Sequence, residues 1–150
     1  LRQAIHHLKY NGRTSVAEPL GEYLQEYWRA EPLPADVIVP VPLHATRQRE
    51  RGYNQSTLLA RQLAQASQLP VMENALERVR ATTPQITLNA AERKTNVHKA
   101  FVAQADLTQG KRILLVDDVC TTGSTLEACS QALKQAGATS VWALTLARAL

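Results

Sequence analysis

Residues 114–125 read LLVDDVCTTGST, and this segment decides the fold. The apolar run 113–116 predicts a strand that is buried on both of its faces. An acidic pair ends the strand, and a loop rich in threonine and glycine follows it. The next apolar residues recur at helical spacing until Gly137, and they are Leu126, Cys129, Leu133 and Ala136. The segment therefore predicts a strand, a loop and a helix, which is the repeating unit of a parallel α/β sheet.

The remaining chain supplies further elements of the same kind. Residues 1–9 and 15–28 predict two helices, with Leu1, Ile5, Leu8, Leu20, Leu24 and Tyr27 as their apolar residues and Asn11-Gly12 as the break between them. Residues 36–41 predict a buried β-branched strand, and residues 54–68 predict a helix with Leu58, Leu59, Leu63 and Ala66 on one side. A short strand is expected at residues 76–79, and a further strand is expected at residues 140–146. A long polar stretch, residues 80–99, follows the short strand and has a helical part near residues 90–97.

Alternating strands and helices predict an α/β fold with a mostly parallel central sheet and helices on both faces. Ligands bind at the carboxyl ends of the strands in such sheets. The 150 residues, 45% of them hydrophobic, predict a single domain spanning residues 1–150. No apolar stretch is long enough to cross a bilayer and no secretory signal pattern is present, so we expect a cytoplasmic protein. The two cysteines argue against a disulfide framework and a structural zinc site.

The charges favour an anionic partner. The net charge is +4, and basic side chains fall in three runs. The first is a loop-like run with Arg47, Arg49 and Arg51, the second holds Arg78 and Arg80, and the third holds Arg93, Lys94, His98 and Lys99. Each run also fits a solvated face, so the runs alone do not choose among phosphorylated metabolites, nucleic acids and acidic proteins.

The acidic pair and the loop after it predict a ribose 5-phosphate site. Burying Asp117 beside Asp118 would desolvate two like charges, so we expect both carboxylates to face a ligand or solvent. The loop offers hydroxyls, a glycine and the free N–H groups of a starting helix, which together suit a phosphate; its residues are Thr121, Thr122, Gly123, Ser124 and Thr125. A ribose 5-phosphate presents hydroxyls to the carboxylates and a phosphomonoester to the loop.

Three other interpretations account for parts of this pattern. Ser124 and Glu127 match a capping box, which would make them a helix start and nothing more. The aspartates could hold a metal ion, or act as the acidic residue after a Walker B strand. The chain contains no G-x-x-x-x-G-K-[ST] loop, which argues against a P-loop nucleotidase.

The strand, the acidic pair and the T-G-[ST]-T loop resemble the fingerprint of the type I phosphoribosyltransferase fold. Over nearly the whole chain the sequence resembles the ComF family, also called GntX-like, which is related to glutamine amidophosphoribosyltransferase. Three further pieces carry this resemblance. They are Leu8-Lys9-Tyr10 with Gly12; the VPVPL motif at 39–43 with RERGYNQS at 49–56; and residues 78–83 with Gln85, Leu88, Arg93, Asn96, Ala100 and Phe101.

The resemblance implies a site for phosphoribosyl diphosphate (PRPP) and Mg2+. Asp117 and Asp118 would accept hydrogen bonds from the ribose hydroxyls, and residues 121–125 would wrap the 5-phosphate. Pro42 and Leu43 occupy the position of the pyrophosphate loop, and residues 80–99 correspond to a catalytic loop that closes over the substrate. The candidates for stabilising the leaving group are Arg49, Arg51, Arg80 and Arg93. Mg2+ is expected to arrive with PRPP, without a protein ligand that we can name.

Two functions follow from the resemblance. One is Mg-dependent phosphoribosyl transfer to an unidentified nitrogen acceptor. The other is a non-catalytic accessory role in the uptake or use of external DNA, with nucleic acid or the DNA-uptake machinery as partner. The Pro42-Leu43 loop has neither the acidic residue nor the glycine of many working transferases, which favours the second. The resemblance further implies a fragment without the zinc-binding segment that usually precedes the domain, and the N-terminal helices permit a homodimer.

Overall fold

A computed structural model of the chain describes residues 1–80, 89, 91 and 100–149. Within these residues the strands are β1 (Val37–Pro40), β2 (Leu76–Arg78), β3 (Phe101–Ala103), β4 (Arg112–Cys120) and β5 (Ser140–Arg148). The helices are α1 (Arg2–Tyr10), α2 (Ala17–Ala30), α3 (Ala45–Arg51), α4 (Gln55–Ser67), α5 (Ala105–Thr108) and α6 (Ser124–Gln135), with a 3-10 turn at Thr14–Val16. The helix expected near residues 90–97 falls almost entirely outside the described residues.

The central sheet has the strand order β1-β4-β5, and both pairs of neighbouring strands, β1–β4 and β4–β5, are parallel. Val37 pairs with Ile113 and Pro40 with Val116, so β4 runs on beyond the end of β1. The continuation of β4 stays paired with β5, where Asp117 lies opposite Thr145. The acidic pair is therefore carried past the end of one neighbouring strand while the other strand still supports it.

The two faces of the sheet are covered by different layers, because side chains alternate along each strand. Ile38, Leu114 and Val116 pack against α1, α2 and α4 on one face. Val39, Ile113 and Leu115 pack on the other face, where α6 and the antiparallel pair β2–β3 lie. The predicted α/β fold, with a mostly parallel sheet between layers of helices, is confirmed.

Helix α3 corrects the prediction of a loop for the first basic run. Arg47, Arg49 and Arg51 lie in a helix that buries none of its residues. The helix is fixed at its ends instead: His44 Nδ1 accepts a hydrogen bond from the backbone N–H of Thr46 at 3.3 Å, and Gly52 ends the helix with a φ of 85°. Local capping accounts for this helix, because it has no apolar side to give a periodic signal.

Two further elements were not predicted, and one apolar residue was assigned to the wrong side of its helix. Strand β3 and the short helix α5 lie just beyond the long polar stretch. On α2, Trp28 is buried and Tyr27 is 44% exposed, although Tyr27 has the helical spacing. Among the described residues, no helix has the length and apolar character needed to cross a membrane.

Gly21 allows α2 to approach α4 closely. A Cβ atom at this position would lie 2.3 Å from Cβ of Gln62, and the Gln25 side chain donates a hydrogen bond to the Gln62 carbonyl at 2.7 Å in the same contact. We expect Gly21→Ala to lower the free energy of unfolding by about 1–3 kcal/mol, because the two helices must separate. Urea unfolding measures the loss, with the exposed neighbour Glu22→Ala as the control. Equal stability of the two variants would contradict the tight contact.

Candidate functional site at the carboxyl ends of β1 and β4

Asp117 is half-buried and is held in place by two hydrogen bonds to the same oxygen. Its Oδ1 accepts from the Ser56 hydroxyl at 2.8 Å and from the backbone N–H of Asp118 at 2.9 Å. Ser56 lies in the first turn of α4, whose N-cap residue Asn54 is buried. The start of α4 thus fixes the Asp117 carboxylate at the edge of the sheet where ligands bind in α/β folds.

Asp118 is not exposed to solvent, whereas the sequence predicted two carboxylates that face a ligand or solvent; its contact with a ligand stays a prediction. It is only 2% exposed, and its Oδ2 lies 2.9 Å from the Lys9 ammonium at the end of α1. Its Oδ1 accepts from the backbone N–H of Val119 at 2.7 Å. The buried charge is tolerated because a cation and an N–H group compensate it. Lys9 is a site residue that the sequence did not assign; the Lys-Tyr-x-Gly piece was visible, but the contact it makes was not.

The environment of Asp117 disfavours its charged form. Burial raises its pKa to about 6, the neighbouring charge of Asp118 adds to the rise, and the hydrogen bonds from Ser56 and from the Asp118 N–H act in the opposite direction. Because this pKa lies above the ordinary value, the folded protein holds the proton more tightly than the unfolded chain does. The stability that comes from the proton is therefore complete below about pH 4 and is lost as the pH rises through about 6.

This shift predicts a difference between the wild type and Asp117→Asn. Between about pH 4 and about pH 7, we expect the wild type to lose about 2 kcal/mol of unfolding free energy relative to the variant. Urea unfolding at a series of pH values measures both chains, and subtraction cancels the titration of the groups that do not interact with Asp117. Parallel curves for the two chains would show that Asp117 titrates normally.

The threonine-glycine loop turns β4 into α6. Gly123 is the N-cap of α6 with a φ of 88°, a conformation that glycine adopts without strain. The Thr122 hydroxyl lies 2.8 Å from the Ser124 hydroxyl and accepts from the Ser124 backbone N–H at 3.3 Å. Ser124 is thus the first helical residue, and the capping box suggested by Ser124 and Glu127 does not form. The exposed hydroxyls of Thr121 and Thr122 stand beside the N-terminus of α6, where an anion is favoured.

The loop after β1 is tied to α4 through Asn54. Its side-chain amide donates to the Val41 carbonyl at 3.0 Å, while its Oδ1 accepts from the Ser56 backbone N–H at 2.9 Å. Asn54 therefore both fixes the loop and caps the helix. Pro42 and Leu43 line a cavity of about 600 Å³ whose other residues include Arg78 and three acids, Glu73, Glu77 and Asp106.

The arginine candidates lie in different places. Arg51 is half-buried; it donates to the Gln55 side chain and lies with its guanidinium carbon 5.7 Å from the centre of the Tyr10 ring. Arg49 and Arg80 are exposed, and Arg93 lies outside the described residues, as do nearly all residues of the expected catalytic loop. The described structure therefore brings Arg51 against other residues of the site region.

Arg78 is a second site residue that the sequence analysis did not assign. It ends β2, its guanidinium carbon lies 5.3 Å from the centre of the Phe101 ring, and it lies close enough to Asp117 for their charges to interact. Burial lowers its pKa from the ordinary value, and the negative charge of Asp117 acts in the opposite direction. The sequence signal that could have identified Arg78 was its position at the end of a short strand, just before a polar stretch.

The carboxylates are poorly arranged for direct binding of Mg2+. Asp117 Oδ1 and both oxygens of Asp118 already contact hydroxyl, N–H or ammonium groups. In the part of the chain that the structure describes, no cluster of three or more His, Cys, Asp or Glu side chains could hold a metal ion. A Mg2+ ion at this site would have to be held mainly by oxygens of a phosphorylated ligand.

Residues 30–150 match the phosphoribosyl transferase domain family. The chain belongs to this family. Competence protein F of Haemophilus influenzae is 40% identical over 116 residues, which cover 76% of this chain and 51% of that protein. DNA utilization protein YhgH of Salmonella typhi is 40% identical over 152 residues, which cover 97% of this chain and 66% of that protein. This chain thus spans about half to two thirds of the length of these relatives. The resemblance to the ComF family is confirmed.

Solved structures agree with this membership in the phosphoribosyl transferase domain family. The glutamine phosphoribosylpyrophosphate amidotransferase of Bacillus subtilis, complexed with ADP and GMP, has a TM-score of 0.62 and 25% identity, covering 87% of this chain and 26% of that chain. A purine phosphoribosyltransferase from Pyrococcus horikoshii, at 21% identity and a TM-score of 0.52, covers 87% of this chain and 70% of its own and shares the fold. The type I phosphoribosyltransferase fold is therefore confirmed.

Proposed function

We propose that this chain binds PRPP with Mg2+ and transfers its phosphoribosyl group to a nitrogen acceptor. The observation that carries the proposal is the Asp117 carboxylate, which Ser56 holds beside the Thr121–Thr125 loop at the carboxyl ends of the strands. Membership of the phosphoribosyl transferase domain family supports it, since the matched residues 30–150 include this loop.

The two aspartates have different roles in this proposal. Asp117, half-buried at the edge of the sheet, accepts hydrogen bonds from ribose hydroxyls. Asp118, buried against Lys9, fixes the end of β4 and does not need to contact the ribose. The N-terminus of α6 with Thr121, Thr122, Ser124 and Thr125 surrounds the 5-phosphate.

The transfer itself breaks the bond between C1 of the ribose and the diphosphate oxygen and forms a bond from C1 to the acceptor nitrogen, which then loses a proton. Negative charge builds on the departing diphosphate, so cations are needed beside it. Bound Mg2+ would supply such charge on the diphosphate oxygens. Among the arginine candidates, Arg51 lies in the site region, while Arg80 and Arg93 are proposed to act from the catalytic loop that the resemblance implies.

A second candidate function is accessory, without catalysis. Relatives named for competence and for DNA utilization favour it, and so does the Pro42-Leu43 loop, which has no acidic residue or glycine. In that case the chain retains PRPP binding, or only the fold, and assists in the use of external DNA. Direct contact with DNA would use the basic helix α3, which exposes Arg47 and Arg49.

Calorimetric titration of PRPP with Mg2+, followed by a screen of base acceptors for pyrophosphate release, tests both candidates. Binding with release supports the transferase, whereas binding without release for any acceptor supports the accessory role. Absence of PRPP and ribose 5-phosphate binding would refute the assigned site. For DNA, affinity for a single-stranded oligonucleotide should fall steeply with salt and fall further when Arg47, Arg49 and Arg51 are neutralised.

A further inference from the structure

A second pocket, which we call the α1–α3 pocket, lies between the end of α1 and helix α3. It has a volume of about 590 Å³, and its lining includes Lys9, Tyr10 and Gly12 at the end of α1 with Arg47, Glu50 and Arg51 of α3. Lys9 connects it to the candidate site, because the ammonium group that lines the pocket also lies 2.9 Å from Asp118 Oδ2.

We propose that the α1–α3 pocket binds a phosphoryl anion, with Lys9 shared between that anion and Asp118. Three cations and one acid line the pocket. The charge of Lys9 is balanced by that of Asp118. The two guanidinium groups of Arg47 and Arg51 then exceed the single carboxylate of Glu50, so the pocket keeps a net positive charge. Guanidinium groups present several N–H donors in one plane, which match the oxygens of a phosphoryl group.

One of these arginines is already oriented for binding. Arg51 donates to the Gln55 side chain, and Gln55 is buried at the start of α4. On its other side Arg51 lies against the Tyr10 ring. A side chain held at two points loses less conformational entropy when it binds a ligand, so this arrangement favours affinity at this spot.

The cavity beside Pro42 and Leu43 is a useful contrast. Its size is nearly the same, about 600 Å³, but Glu73, Glu77 and Asp106 outnumber Arg78 there. An anion would meet net negative charge in that cavity and net positive charge in the α1–α3 pocket. Charge therefore selects the α1–α3 pocket as the anion site, although the sequence had pointed to Pro42 and Leu43.

This inference rests on the proposed function, which it deepens. The pocket adjoins the candidate site through Lys9, whose ammonium group contacts Asp118. The phosphoryl group has two sources, the diphosphate of the donor or a phosphate on the acceptor. Both need the same cations.

Titration of inorganic pyrophosphate into the chain, with and without Mg2+, tests the pocket. We expect Arg47→Gln and Arg51→Gln each to weaken pyrophosphate binding about tenfold or more. Arg2→Gln removes the same charge from α1 outside the pocket lining, and it should stay within about twofold of the wild type. Arg47 is exposed, so its replacement leaves the core unchanged.

Competition separates the two sources. If PRPP displaces pyrophosphate while ribose 5-phosphate does not, the pocket takes the diphosphate of the donor. If PRPP and pyrophosphate bind together, the pocket takes a phosphate of the acceptor. Pyrophosphate affinity that is unchanged in both Arg47→Gln and Arg51→Gln overturns the pocket, and the proposed function survives if Asp117→Asn still weakens ribose 5-phosphate. If the wild type binds neither ribose 5-phosphate nor pyrophosphate, both proposals are refuted.

Discussion

Replacing Lys9 by methionine should lower the free energy of unfolding by about 3 kcal/mol, because breaking a buried ion pair from one side leaves an uncompensated charge. Methionine keeps the length and the apolar contacts of the lysine stem, so the change removes chiefly the ammonium group. Asp118 remains in place with a side chain that is only 3% exposed. The value lies at the lower end of the range for buried pairs because the Lys9 side chain is itself 26% exposed.

Urea unfolding of four chains measures this effect: the wild type, Lys9→Met, Asp118→Asn and the double variant. Asn at position 118 retains an oxygen for the Val119 N–H but carries no charge. We expect the double variant to be more stable than the sum of the single losses implies, with a coupling of about 1–3 kcal/mol. Lys9→Arg, which keeps the charge, should recover much of the loss. Strict additivity would mean that the ion pair adds nothing to stability.

Asp117→Asn should have the opposite profile, with a large loss of binding and no loss of stability. Losing one charge-assisted hydrogen bond to a ribose hydroxyl weakens ribose 5-phosphate binding by about 10- to 100-fold. The fold should not suffer, because burial already disfavours the charged form of Asp117. An Asn side chain can still accept from Ser56 and from the Asp118 backbone N–H.

Calorimetric titration of ribose 5-phosphate and thermal unfolding, both near pH 7.5, test this profile. Asp118→Asn is the matched comparison, since it makes the same chemical change one residue along the strand. We expect that variant to lose stability through the broken contact with Lys9. A thermal midpoint that falls in Asp117→Asn without any loss of affinity would show that Asp117 is structural and would remove the ribose from the site.

The sequence predicted those parts of the fold whose signal is periodic. The run 113–116 and the residues Leu126, Cys129 and Leu133 identified β4 and α6, since each pattern reports one buried side of an element. Helix α3 was missed because it buries no residue at all. Strand β3, which has only three residues, was also missed.

The candidate site was predictable only where its residues are close together in the sequence. The acidic pair and the threonine-glycine loop lie within nine residues of each other on the chain, from Asp117 to Thr125. The partners that distinguish the two aspartates come from elsewhere, Ser56 from α4 and Lys9 from α1. Their contacts depend on how helices pack on the sheet, which no local pattern specifies.

Residues of helix α3 can affect ligand binding without affecting the stability of the fold. Its residues Arg47, Glu50 and Arg51 line the α1–α3 pocket, yet the helix contributes no residue to the core. Substitutions at its exposed positions, such as Arg47 and Glu50, should therefore be nearly neutral for stability. New ligand specificities could evolve at the exposed positions of this helix at little risk to the fold, whereas a change of charge at Lys9 or Asp118 alone would destabilise it.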